Sequence, residues 1–270
     1  MKGFGGELST QEIQENSFEM LVNIDEFCKQ KNIQYFLHAG TLLGAVRHHG
    51  FIPWDDDVDI CMTRMNFHKF LAEFHDNEKY ELQFYDRLKG YCLPYGKLRD
   101  KRTIRIENAI GKPYKPERGL DIDIFIIDGY SDNEAIRKIH FLIQNLLFYL
   151  YEKAGVNPER KKGLIRVLFK VYQVFAKPSF LAKVVNRFAG LWSAEKTRYA
   201  GCMVSLYRHK IELAHADSFR SCKRGLFEGK LFPLPADADD VLKSIYGPDY
   251  MTPPPLNKRV STHLDYIARK

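Results

Sequence analysis

Asp57 and Asp59 stand two residues apart in Trp54-Asp55-Asp56-Asp57-Val58-Asp59-Ile60, at the mouth of a short apolar run. Side chains along a strand alternate faces, so a strand here turns both carboxylates one way and Val58 and Ile60 toward a core. Two like-facing carboxylates are costly to hold together unless a cation sits between them. Oxygen-only ligands in this arrangement suit magnesium, with manganese as the alternative ion, carrying a phosphorylated substrate. Upstream, Gly40-Thr41 lies at the start of a predicted helix, whose unsatisfied N–H groups and dipole favour phosphate oxygens. Downstream, Asp121 and Asp123 alternate with Leu120, Ile122, Ile124 and Ile126 in a second carboxylate-bearing strand. Carboxylates on two adjacent strands can hold one or two divalent ions bridging phosphate oxygens. The pattern is that of a site for phosphoryl chemistry.

The elements that must position these residues follow from periodicity. A helix is predicted over 9–31, where Ser9 and Glu12 make a capping box and Ile13, Met20, Leu21, Ile24 and Phe27 recur at helical spacing. Short strands are predicted at 35–37 and 58–62. The loop between them contains Pro53, which restricts Ile52 and donates to no ladder. A helix with Phe67, Phe70, Leu71 and Phe74 on one face follows. Strands around 80–85, 91–98 and 103–107 are expected in meander order. Helices are expected over 132–152 and most of 163–200. Beyond them come a proline turn at Phe232-Pro233-Leu234-Pro235, a helix at 237–246 and an extended arm at Pro253-Pro254-Pro255. The fold class is α/β (α+β), a mixed sheet flanked by helices. The expected organisation is a catalytic core over 1–150, a helical lobe over 151–225, and a C-terminal segment over 226–270 packing back on the core.

At 270 residues and 45% hydrophobic the chain can bury a substantial core, which argues against global disorder. Its net charge of +7 fits an anionic partner such as a phosphorylated substrate, nucleic acid or a membrane surface, although many soluble proteins are mildly basic. The five cysteines are scattered, which speaks against a disulfide framework or zinc site and for a reducing compartment. No signal-type apolar stretch opens the sequence, and Ile139 to Tyr151 is too short and interrupted to span a bilayer. A cytoplasmic location is expected. Between Lys153 and Arg187, basic residues interleave with Leu164, Ile165, Leu168, Phe169, Val171, Tyr172, Val174 and Phe175. That pattern fits either peripheral contact with the inner membrane face or a helical lobe with an ordinary solvated side. Basic helices without a stacking motif make nucleic acid the poorer partner.

Chain order separates this site from other paired-aspartate chemistries. Phosphatases of the haloacid-dehalogenase type place the pair after an apolar strand, whereas Pro53 and Trp54 precede Asp55 here. Nucleotide-sugar glycosyltransferases also carry their pair at a strand's carboxyl end. The order seen here is that of the nucleotidyltransferase superfamily. The segment from His38 to Arg47, followed by Gly50 to Ile60, closely resembles the signature of the LicD family of phosphotransferases. Further matches are Lys97 to Thr103, Asp123-Ile124-Phe125 with Asp128-Gly129, Phe227-Glu228-Gly229, and Tyr246-Gly247 with Tyr250-Met251. Ile126-Ile127 depart from the proline and apolar residue more usual before Asp128.

The resemblance implies magnesium-dependent transfer of a phospho-alcohol, phosphocholine by default. The donor would be CDP-linked, CDP-choline first, and the acceptor a hydroxyl of teichoic acid, capsule or lipopolysaccharide on a lipid-linked glycan, with CMP released. It implies Asp57, Asp59 and Asp123 as metal carboxylates, Asp123 also as acceptor of the attacking hydroxyl's proton, and Gly40 and Thr41 at the donor phosphates. Asp121 competes with Asp123 for its place. Asp55 and Asp56 are read as loop groups. Arg47, Lys97 and Arg99 are candidates to neutralise phosphate, against simple solvation. Trp54 is a candidate to stack on a base or face a quaternary ammonium, against core packing. Glu228 and His263 are further substrate-side candidates. Nucleotidyl transfer to a small hydroxylated acceptor, and a silent glycan- or membrane-binding module, are the alternatives.

Overall fold

Leu120 to Tyr130 alternates buried isoleucines with polar and aromatic residues, and this run forms the longest strand, around which the rest is arranged. A computed structural model describes residues 5–107, 112–113, 117–155, 162–204, 212–259 and 266–270. In chain order the elements are α1 (Thr10–Gln30), β1 (Phe36–Leu37), α2 (Ala39–Arg47), β2 (Val58–Thr63), α3 (Arg64–Glu73), β3 (Tyr80–Gln83), β4 (Gly96–Asp100), β5 (Thr103–Glu107), β6 (Lys112–Pro113) and β7 (Asp121–Tyr130). There follow α4 (Glu134–Gly155), α5 (Gly163–Phe175), α6 (Pro178–Ala189), β8 (Tyr199–Cys202), β9 (Ala214–His215), β10 (Cys222–Phe227), β11 (Lys230–Pro235), α7 (Ala238–Tyr246) and β12 (Tyr266–Arg269).

The main sheet has seven strands, with β1-β2-β7-β4-β3 as its principal path. Only β2 and β7 run parallel, with Val58 level with Ile122 and Asp59 level with Asp123. The other edge of β7 is shared: β4 pairs with its first half and β8 with its second, both antiparallel. One face of β2 and β7 is apolar along most of its length, with Val58, Ile60, Met62, Ile122, Ile124 and Ile126 buried. Helix α3 lies on that face, where the Phe67 ring rests against Gly96; a Cβ at Gly96 would come within 2.9 Å of it. Helix α1 begins with the expected capping box at Ser9 and Glu12 and packs Met20, Leu21 and Ile24 into the same core.

Several expected elements are placed differently. The strand predicted over 91–98 starts only at Gly96, and β5 leaves the meander to pair with β12 and β6 in a separate three-stranded sheet. Helix fills Gly163–Phe175 and Pro178–Ala189, most of the stretch expected to be helical, but within the 151–225 segment expected as a helical lobe Tyr199–Cys202 joins the main sheet, antiparallel to the second half of β7. The proline turn at 232–235 is instead β11, paired with β10 through a turn at Glu228-Gly229. Prolines are tolerated there because the hairpin leaves an edge free of ladder bonds.

The lobe helix α6 is tied to the sheet by charge. Arg64, the first residue of α3, makes two parallel bonds to buried Asp128 of β7, at 2.6 and 2.7 Å, and a further bond to the Asn186 side chain of α6 at 2.9 Å. Removing one partner of such a fork strands the other charge in the interior. Asp128→Ala is therefore expected to lower unfolding stability by about 3–5 kcal/mol, read from the urea midpoint; a loss below about 1 kcal/mol, the range of an exposed pair, would contradict this.

Candidate active site

Because β2 and β7 are parallel, their acidic N-terminal ends lie at the same edge of the sheet. Asp59 is level with Asp123, Asp123 with Lys97 of β4, and Lys97 with Gln83 of β3, giving one polar row across four strands. The next row holds Asp121, Arg99 and Glu81. These residues share the face opposite the isoleucines.

Helix α2 is stitched to this edge at Asp59. The Asp59 amide donates to Thr41 Oγ1 at 2.8 Å, and the His38 amide donates to the Asp59 carbonyl at 3.0 Å. The helix therefore points its first-turn amides, which lack intrahelical acceptors, at the carboxylates. Gly40 leaves room there for Asp55, since a Cβ would come within 2.6 Å of Asp55 Oδ2 and displace its carboxylate. Asp55, read from sequence as a loop group, is thus the anion seated at the N-terminus of α2, where donor phosphate was expected. Its carbonyl is held by Gln14 Nε2 at 2.7 Å.

The electrostatics of the row are unbalanced. Burial pushes Asp59 well above the ordinary carboxylate range, and the negative charges of Asp57, Asp123 and Asp55 push it further, opposed by Lys97. Burial also raises Asp123, with Asp121 and Asp57 adding to the shift while Lys97 opposes it. Asp121 goes the other way: against the cost of burial, Lys97, Arg105 and Arg118 hold it below its ordinary value. Lys97 is the pivot. Its side chain is 5% exposed, and its ammonium donates to Asp121 at 2.6 Å and also to Asp123. Lys97, Arg105 and Arg118 compensate Asp121, and the shortfall falls at Asp59 and Asp123. An oxygen-only donor set with surplus negative charge fits a hard divalent cation. As the side chains stand, no three His, Cys, Asp or Glu residues among the described ones are gathered closely enough to hold an ion. The backbone register brings the carboxylates to one edge, and Lys97 lies among them.

The remaining candidates fall into two groups. Arg99 is buried and engaged by Glu81 at 3.1 Å and Glu117 at 2.8 Å, one row away from Asp123. Arg47 ends α2 and donates to the Tyr250 carbonyl at 3.0 Å. Trp54 is half-buried against the core, with the Arg259 guanidinium 5.3 Å from its ring centre. Its face thus already holds a cation, supplied by the C-terminal arm. Glu228 sits at φ 48° in the β10–β11 turn, accepts from the Phe51 amide at 2.9 Å, and donates its own amide to the His49 carbonyl at 3.0 Å. It fixes the loop leading to Asp55, and Gly50 is needed because a Cβ there would overlap its carboxylate. His263 lies outside the described residues. Arg105, Arg118 and Arg259 were missed by sequence reasoning; for Arg259 the only signal was a base just beyond a proline run.

The fold is a mixed α+β one with an acidic edge where its two parallel strands begin. The pattern described as "LicD/FKTN/FKRP, nucleotidyltransferase domain" matches residues 32–154. Lipopolysaccharide cholinephosphotransferase LicD of Haemophilus influenzae is 30% identical over 247 residues, covering 88% of this chain and 89% of that protein. An uncharacterised protein of Rickettsia prowazekii is 49% identical over 82 residues, 28% of this chain and 30% of its own length. One of Rickettsia typhi is 40% identical over 60 residues, 21% of this chain and 19% of its own. The chain belongs to the LicD family.

Lys97→Met leaves Asp121 and Asp123 buried without their shared cation. Asp121 keeps Arg105 and Arg118, whereas Asp123, already raised by burial, rises further above its unfolded value, so the stability it contributes is present at low pH and lost as pH rises through the folded value. The gap in unfolding free energy between Lys97→Met and the parent is expected to be largest near about pH 8 and to shrink toward about pH 5. A gap independent of pH in urea titrations would show that Lys97 does not carry the compensation.

Proposed function

We propose that this protein transfers phosphocholine from CDP-choline to a glycan hydroxyl of the lipopolysaccharide, teichoic acid or capsule class and releases CMP. It would do so on the cytoplasmic side with magnesium at Asp57, Asp59 and Asp123. The observation that carries the reading is the level pairing of Asp59 with Asp123 across parallel strands, with surplus negative charge that Lys97 does not cancel. The relative named as a lipopolysaccharide cholinephosphotransferase, aligned over nearly the whole of both chains, supports the choice of group transferred and acceptor.

When bound, the metal supplies charge neutralisation at the donor phosphates and at the departing CMP oxygen. The chain's own residues supply the rest. Asp123, raised by burial, is suited to take the proton of the attacking hydroxyl. Lys97, bonded to both Asp121 and Asp123, fixes Asp123 in place. The Thr41 hydroxyl and His38 amide lock the backbone of Asp59 on both sides, so its carboxylate is presented without reorganisation. Trp54 takes a cation over its ring, and the choline headgroup would compete there with Arg259.

The test is CMP release from CDP-choline, CDP-ribitol and CDP-glycerol in the presence of cell-envelope glycan, with and without EDTA, and the mass of the product glycan. CDP-choline is expected to turn over best, EDTA to stop it and magnesium to restore it, with the glycan gaining phosphocholine. Asp59→Asn and Asp123→Asn are each expected to cut the rate by at least about 100-fold while the circular dichroism spectrum is kept. A glycan that gains a nucleotide, or turnover indifferent to EDTA, would replace this reading.

A further inference from the structure

Helix α5 runs for 13 residues and buries none of them. At 100° per residue, Leu164, Val167, Leu168, Val171, Val174 and Phe175 fall on one side. Leu164 is 73% and Phe175 82% exposed. The other side is turned to α4: Tyr172 Oη donates to the Leu150 carbonyl at 2.8 Å, and Gln173 Nε2 donates to the Ala154 carbonyl at 2.7 Å. Helix α4 repeats the pattern. His140, Gln144 and Phe148 face inward, while Ile139, Leu142, Leu146 and Tyr149 lie exposed on the far side. A groove of about 410 Å³ lined by Tyr149 and Lys153 of α4 and Leu168 of α5 joins the two outward faces into one apolar surface.

The charge beside this surface is predominantly positive, with Glu134 and Glu152 of α4 as its acids. From Arg160 through Ala194 the sequence has eight lysines and arginines and neither aspartate nor glutamate. Arg166 and Lys170 flank the apolar side of α5, Lys177 opens α6, and the Lys153 ammonium lies 4.8 Å from the Tyr149 ring centre at the groove. Ordinary soluble surfaces scatter apolar residues singly and mix both signs of charge. Apolar side chains flanked by an excess of cations on long stems complement an anionic lipid surface: the apolar groups enter the acyl boundary and the cations reach the headgroups. Among the described residues no helix is long and apolar enough to cross a membrane, so the contact lies in the plane of the interface.

We infer that the outward faces of α4 and α5 form a peripheral docking surface for an anionic membrane. The inference rests on these faces and does not require the reaction proposed above. It is tested by co-sedimentation of the full chain with phosphatidylglycerol–phosphatidylcholine vesicles and with pure phosphatidylcholine vesicles, alongside light scattering in free solution. Binding to the anionic vesicles is expected to be at least about tenfold stronger than to the neutral ones, and to weaken at about 0.5 M salt. The double variant Val171→Asp with Phe175→Asp is expected to lose at least about tenfold in vesicle binding, with an unchanged melting temperature and unchanged CMP release in solution. Absence of binding by the parent chain, equal binding by the variant, or a parent dimer that the variant dissolves without any vesicle binding would each overturn the proposal. Loss of CMP release in both proteins would instead count against the reaction and leave the membrane result intact.

Discussion

Like-charged carboxylates crowded at the start of two parallel strands, with one buried lysine among them, set the terms for the rest of this molecule. Parallel pairing of β2 with β7 is what makes Asp59 and Asp123 neighbours; burial and the charges of Asp57, Asp123 and Asp55 push Asp59 toward its neutral form, and burial with Asp121 and Asp57 does the same to Asp123. Such a cluster is tolerated only where the surrounding fold over-determines it. Here the isoleucine face beneath, α3 over Gly96, and α2 bound at both the amide and the carbonyl of Asp59 hold the edge rigid.

The same constraint explains features that otherwise look unrelated. Helix α2 must bring its N-terminus to the carboxylates, so Gly40 admits Asp55 and Gly50 admits Glu228. The hairpin β10–β11 lies far along the sequence from α2, yet Glu228 at its turn holds the loop that carries Asp55 to Asp57. The C-terminal arm reaches the same region, with Tyr250 on Arg47 and Arg259 on Trp54. The middle of the chain divides its helices by role: α6 is clamped to the sheet through Asn186 and Arg64, whereas α4 and α5 keep apolar sides outward. The acidic edge and the basic outer helices account for a chain that is positive overall while its deepest polar cluster is negative.

What could be read from the sequence was whatever local periodicity encodes. Alternation of apolar and acidic residues placed Asp59, Asp121 and Asp123 on strands and on one face, whereas Asp57 falls in the loop just before β2, and the capping box at Ser9 marked the start of α1. What escaped was set by contacts between distant segments. Lys97 was assigned outward to phosphate because alternation alone does not reveal that its strand lies beside β7, so that it turns inward to two carboxylates. Arg99 likewise gave no sign of Glu81 and Glu117. The Arg64–Asp128 fork and the Arg259–Trp54 stack join residues far apart in sequence. Pro233 and Pro235 pointed to a turn, yet an edge strand accommodates them. Tyr199–Cys202 lay inside the segment expected as a helical lobe, yet they pair with the second half of β7 as a strand.

The central claim is that the edge formed by Asp57, Asp59 and Asp123 is a divalent-cation site. Titration of the full chain with manganese, followed by the paramagnetic resonance signal of the free ion, measures it directly and needs no substrate. The account predicts saturable binding that magnesium displaces and that Asp59→Asn abolishes without unfolding the chain. Binding unaltered in Asp59→Asn, or a parent chain that leaves all the manganese free, would contradict it.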